Sequence, residues 1–130
     1  METLLDTNFL IECAKNKIDF FSQLNEDFPN YKITIPQEVI EELKKIKERD
    51  GKSTDKKAAE LAIEIIKKNK RKISSPELNQ KDVDEGIIKY LEKKKTILGT
   101  NDKEMKKKIR DRKINSTFLR IIGKKKIEVT

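Results

Sequence analysis

Short apolar runs alternate along the chain with longer stretches in which apolar residues recur every three or four positions. Residues 3–5 (TLL) read as a short strand that points into Asp6-Thr7-Asn8. Ile18, Phe20, Phe21, Leu24 and Phe28 follow at helical spacing. Residues 31–35 alternate as a second strand, closed by Pro36, a residue suited to the first turn of a helix. Val39, Ile40, Leu43 and Ile46 then give a helical stripe, and residues 49–54 (RDGKST) read as a loop. Residues 56–68 form the next helix, with Ala58, Ala59, Leu61, Ala62, Ile65 and Ile66 inward. Residues 71–74 read as a short strand stopped by Pro76, and residues 80–93 as a helix. Residues 96–98 read as a strand ending at Gly99-Thr100-Asn101-Asp102, and residues 103–112 as a further helix. Residues 115–122 and 126–129 are strand-like, with Gly123 marking a turn.

Strands alternating with helices predict an α/β fold with a mainly parallel sheet, in a single domain spanning residues 1–130. Right-handed crossovers put the carboxyl ends of parallel strands on one edge, where ligands bind in open α/β sheets. Two of those ends carry acid: Asp6 directly after the first strand, and Asp102 a short loop after residues 96–98. Asp102 has a competing role, because Asn101-Asp102-Lys103-Glu104 resembles a capping box with Asn101 at the cap. Asp6 has no such role unless a helix starts beside it.

Helical geometry selects two more acids. Glu42 falls about 90° from the centre of the apolar stripe and Glu41 about 170° from it, so Glu42 flanks the buried face. Among Asp82, Asp84 and Glu85, Asp84 lies about 50° from the apolar centre and the other two about 150° off. A half-buried acid needs a partner, which can be as ordinary as a lysine.

Composition narrows the chemistry. The sequence has no histidine, which excludes Ser-His-Asp triads, Cys-His dyads and histidine-ligated metals. Cys13 is its only cysteine, so there is no disulfide framework, and the residue reads as a small buried hydrophobe. The start has no basic region of a signal peptide, and no apolar run is long enough to span a membrane, so a cytoplasmic location is expected. Abundant Lys, Ile and Glu fit either a thermophilic origin or an AT-rich genome. Catalysis is left to carboxylates, lysines, hydroxyls or bound ions. Clustered carboxylates repel and need cations, and oxygen ligands select hard ions, Mg²⁺ or Mn²⁺. Such an ion polarises a phosphate and acidifies water without histidine.

The motifs resemble those of the PIN-domain nucleases. They are Asp6-Thr7-Asn8-Phe9-Leu10, Ile35-Pro36-x-x-Val39-Ile40-x-Glu42-Leu43, Asp84-x-x-Ile87 and Thr100-Asn101-Asp102-x-x-Met105, in that order along nearly the whole chain. The resemblance implies a three-layer α/β/α fold with strand order 3-2-1-4-5. It also implies divalent-metal-dependent hydrolysis of single-stranded RNA. Asp6, Glu42, Asp84 and Asp102 would form the acidic cluster, with Asp6, Asp84 and Asp102 as metal ligands. Asn8, Thr100 and Asn101 would orient ligands, water or phosphate around them, although Asn and Thr are also ordinary turn residues. Gly99 departs from the family pattern, which prefers an apolar residue there; glycine either loosens the strand end or permits close backbone approach. The chain looks most like the branch related to pre-ribosomal RNA processing factors and also resembles toxin ribonucleases of toxin–antitoxin pairs. The corresponding partners are pre-rRNA or ribosome, or an antitoxin, and a homodimer is plausible by analogy.

Charge enters last. Lys and Arg number 31 against 23 Asp and Glu, a net charge of +8. Lys44, Lys45 and Lys47 follow Glu42, Lys103, Lys106, Lys107, Lys108 and Arg110 follow Asp102, and Arg120, Lys124, Lys125 and Lys126 lie near the end; of these, Lys44, Lys103, Lys106, Lys107, Arg110 and Arg120 are the candidate RNA contacts. The bland reading of each lysine is a solvated helix face. Aromatics are 5% and sit at core-like positions, which disfavours a base-stacking platform. Two other classes compete: a PIN module that binds RNA or a ribosomal partner without cutting, and a flavodoxin-like regulator that accepts phosphoryl at Asp6. The first is disfavoured by four intact acids, the second by the absence of the expected lysine in the last strand-to-helix loop.

Overall fold

The first strand, β1 (Glu2–Leu5), is buried along its whole length, and its alternation sends Leu4 to one face of a sheet and Leu5 to the other. The computed structural model describes residues 1–49, 53–123 and 126–129. The expected loop at residues 49–54 therefore lies partly outside the described residues, as do Lys124 and Lys125. After β1 come α1 (Thr7–Lys15), α2 (Phe20–Asp27), β2 (Lys32–Thr34), α3 (Gln37–Lys47) and α4 (Thr54–Lys68). A 3₁₀ turn (Lys70–Lys72) leads to β3 (Ile73–Ser74), then α5 (Val83–Lys93), β4 (Thr96–Gly99), α6 (Lys103–Asp111), β5 (Thr117–Ile122) and β6 (Lys126–Val129).

The six strands are ordered β3-β2-β1-β4-β5-β6. The first five are parallel, and β6 returns antiparallel on β5. This is the expected 3-2-1-4-5 order with one strand added at the edge. Gly123 sits at the intervening turn with φ of 60°, a backbone region glycine enters without strain. Two cores follow from strand alternation. Leu5, Ile33, Ile35, Ile97 and Leu119 pack with the apolar faces of α1–α4. Leu4, Leu98 and Phe118 pack with Ile87, Ile88 and Leu91 of α5 and Met105 and Ile109 of α6. Helices therefore cover both faces, as a buried parallel sheet requires.

The sequence pattern misses α1. Thr7, Phe9, Leu10, Ile11, Cys13 and Ala14 are all buried, so the helix shows no clear polar face. Cys13 is fully buried, as expected of a small hydrophobe. Pro36 stands at the cap position before α3 and not in its first turn. α5 begins at Val83, three residues later than the spacing suggests, because Asp82 caps it by accepting from Asp84 N and Glu85 N.

At Gly99 the strand end stays paired, and the room left by the missing side chain is taken by neighbouring side chains, not by another backbone. Gly99 pairs with Leu5 in the β1–β4 register, and Asp6 N donates to its carbonyl oxygen at 3.1 Å. A Cβ built there would lie 2.8 Å from Leu5 Cδ2 and 2.9 Å from Phe9 Cδ1. Gly99→Ala should therefore destabilise the protein by about 1–3 kcal/mol through overpacking, read as a lower urea midpoint with unchanged slope; wild-type stability in this variant would refute the tight packing.

Candidate active site

The chain runs outward from β1 through β2 to β3, then returns to β4 on the other side of β1. That reversal opens a crevice at the carboxyl ends of β1 and β4. Asp6 stands at one wall. It is 5% exposed, and its Oδ1 accepts from Phe9 N at 2.9 Å. It is thus also the N-cap of α1, a role that the missed helix had hidden. Asp102 stands at the other wall and caps α6, accepting from Glu104 N at 2.9 Å and Met105 N at 3.2 Å through Oδ1 alone. Asn101, expected at that cap, is exposed and does not serve it. Thr100 is fully buried, and its hydroxyl accepts from Asp102 N at 3.1 Å, fixing the turn.

Asp84 lies in the first turn of α5, half-buried as its helix angle predicts. Its neighbour Glu85, expected well off the apolar face, is also half-buried, because it forms a two-pronged ion pair with Arg112 at 2.8 and 2.9 Å. Glu42 is half-buried on α3, while Glu41 is exposed. Side chains lean toward a helix's N-terminus, so Glu42 reaches back to the crevice, where its Oε1 accepts from Thr7 Oγ1 at 3.2 Å. Asn8, next in the same motif, is exposed. A clue to the role of Thr7 was available in its place beside Asn8, but its orientation depends on the unrecognised α1.

The four acids feel one another. Burial raises the pKa of Asp6 to about 6; hydrogen bonds from Thr100 and Phe9 pull it down, and the charges of Asp84 and Asp102 add to the rise. Burial also raises Asp84, helped by Asp102 and Asp82 and opposed by Lys108. Burial raises Glu42, opposed by the Thr7 hydrogen bond and Lys45 and reinforced by Asp84. Three helix N-termini, those of α1, α5 and α6, meet at this edge and add partial positive charge. Among the described residues, no three acids are already drawn together into a metal cage. The donor chemistry nevertheless fits a divalent cation. All four groups offer oxygen, repulsion adds to the raised proton affinity of Asp6, Glu42 and Asp84, and Asp102 Oδ2 has no hydrogen-bond partner among the described residues.

Cations divide into two sets. Lys45, three residues after Glu42 and on its face, sits near that acid, and Lys108 sits near Asp84. Both belong to the basic runs that follow Glu42 and Asp102 in the sequence. Lys44, a candidate RNA contact, points instead into the groove between α3 and α4 with Ile63, Ile66 and Lys67. Lys103, Lys106, Lys107 and Arg110 lie on α6, Lys106 half-buried and the others exposed, and Arg120 is exposed on β5.

Two further acids have other work. Glu38 receives Leu78 N at 3.0 and 2.9 Å and Asn79 N at 3.0 Å, and holds the segment before α5. Burial raises its pKa, but these N–H groups prevail and lower it. Glu2, buried at the opposite end of β1, accepts from the hydroxyls of Thr34 and Tyr90. Burial, then the bond to Glu2, pushes the Tyr90 phenol up to about 12.

The family model that matches this chain, a PIN like domain, covers residues 3–121. The chain is also similar to the ribonuclease VapC4 of Methanocaldococcus jannaschii. The two are 36% identical over 112 residues, covering 84% of this chain and 82% of the relative.

Asp6 should cost stability. Between its ordinary value of 3.8 and about 6, the folded protein holds a proton at Asp6 that the unfolded chain releases. This contribution therefore favours folding at low pH and is lost as pH rises through about 6. Asparagine keeps the cap and removes the buried charge. In EDTA at pH 7, Asp6→Asn should unfold at higher urea concentration, by roughly 2 kcal/mol; a less stable variant would contradict the burial of an uncompensated charge.

Proposed function

The chain belongs to the PIN-like domain family, and from that premise we propose that it is a divalent-metal-dependent ribonuclease acting on single-stranded RNA at Asp6, Glu42, Asp84 and Asp102. The observation that carries this reading is the mutual electrostatic coupling of these acids in one crevice. The relative's name, a ribonuclease, supports the activity. Its coverage of both chains favours the toxin-type branch over the rRNA-processing branch, and an antitoxin protein is the corresponding partner.

Asp6, Asp84 and Asp102 would hold Mg²⁺ or Mn²⁺, with Glu42 completing the acidic set. When bound, such an ion supplies electrostatic stabilisation of the phosphate and lowers the pKa of water. The chain's own residues do the positioning. Thr100 fixes the turn from which Asp102 projects. Thr7 holds Glu42 from across the crevice. The buried backbone around Asp6 keeps that carboxylate in one orientation, bonded to Phe9 N. Lys45 and Lys108 limit the repulsion among the acids without entering an ion pair with them. The helix N-termini favour an anionic substrate at the same place.

The test is cleavage of single-stranded RNA with Mn²⁺. EDTA, Asp6→Asn and Asp102→Asn should each reduce the rate by at least about 100-fold, in line with losing a charge-stabilising group. Asp84→Asn should do the same, whereas Glu85→Gln should cost only the Arg112 pair and leave the rate within about threefold. Activity surviving EDTA would end the metal reading, and equal losses at positions 84 and 85 would end the assignment of Asp84.

A further inference from the structure

Four cations crowd the seam between α6 and β5. Lys103, Lys106 and Arg110 recur at i, i+3 and i+7, so they line one side of α6 over about 10 Å. Arg120 follows Phe118 by two residues on β5 and therefore shares its face of the sheet. Phe118 is buried and floors the cluster. Lys106 Nζ lies 5.5 Å and the Arg110 guanidinium 5.8 Å from its ring centroid. None of the four cations makes an ion pair among the described residues. Glu128, opposite Arg120 across the β5–β6 ladder, engages Lys126 at 3.8 Å. Burial lowers the pKa of Lys106, and Arg110, Arg120 and Lys103 lower it further, against the pull of Asp6. The cluster is thus held together at a free-energy cost and lies within electrostatic reach of the acidic crevice. Like charges kept adjacent without counter-charge are relieved by a polyanion. Phe118 is covered by two of them and offers no face for stacking, so the ligand is a backbone and not a base.

We propose that the α6–β5 cations seat the phosphodiester backbone of single-stranded RNA on one side only of the bond cut at the acids, so that the enzyme requires more nucleotides on that side than on the other. The one-sided requirement rests on the ribonuclease reading; the binding seat does not.

The binding arm uses a fluorescently labelled oligouridine, followed by anisotropy in EDTA over a range of KCl concentrations. Each phosphate contact contributes a slope of about 0.7 in log affinity against log salt for a single strand. Arg110→Gln/Arg120→Gln should flatten that slope by about 1.4, while Lys67→Gln/Lys70→Gln, on the other side of the molecule, should leave it unchanged. Thermal melts establish that both variants are folded. A slope retained in the first variant, or flattened equally in the second, overturns the seat. The rate arm uses an RNA that the wild-type protein cuts at one position, trimmed from either end in Mn²⁺. Trimming from one end should reduce kcat/KM at least tenfold more than trimming from the other, and Arg110→Gln/Arg120→Gln should erase the difference. Symmetrical losses overturn the one-sided track. A flattened slope with no cleavage of any RNA would instead overturn the ribonuclease reading and leave the seat standing.

Discussion

The pairing of β1 with β4 is the constraint from which the site follows. These two strands are far apart in sequence and central in the sheet, and the chain reverses direction across them. Their register places Leu5 opposite Gly99, and the next hydrogen bond, from Asp6 N to Gly99 O, extends the ladder one residue beyond β1. Asp6 is thereby fixed beside the turn that presents Asp102. Neither acid needs a dedicated scaffold, because each caps the helix that its strand leads into. The same N–H groups that stabilise these carboxylates also orient them, so local helix chemistry and long-range sheet pairing specify the same geometry.

Electrostatics explains why such a site is kept in a basic protein. Asp6, Glu42 and Asp84 are all raised by burial, and each is raised further by at least one of the other acids. The nearby lysines moderate this repulsion and do not neutralise it: Lys45 and Lys108 act at the rim, and Lys106 feels Asp6 while being crowded by its own kind. The crevice stays short of positive charge at its centre, and the α6–β5 seam stays short of negative charge. Two unmatched fields thus lie side by side, and the well-buried cores on either side of the sheet offset their cost.

Much of this was legible in the sequence. Helical angle separated half-buried Glu42 from exposed Glu41, because amphipathic stripes report burial; Asp84 and Glu85 share the same half-buried range and differ instead in partner, Glu85 pairing with Arg112. The alternating elements gave the sheet and its parallel sense. What escaped were features that periodicity does not carry. α1 is buried nearly all round, so it has no stripe to read, and with it went the cap at Asp6 and the role of Thr7. Residue type makes Asn101 an equally good cap, but the turn set by Thr100 gives that position to Asp102. Sequence order alone does not separate Lys44 from Lys45: the first lines the groove between α3 and α4, while the second acts on Glu42.

Gly99 bears on how such a chain can change over time. Its missing side chain is occupied space, filled by Leu5 from the paired strand and by Phe9 from the first helix. A lineage that gains a side chain at position 99 must shift or shrink the side chain at position 5 or 9 to make room. The three positions therefore constitute one inherited unit, with substitutions at its members expected to co-occur across descendants. Because that unit abuts both Asp6 and Thr100, drift in the packing behind the crevice is restrained by the same residues that hold its acids in register.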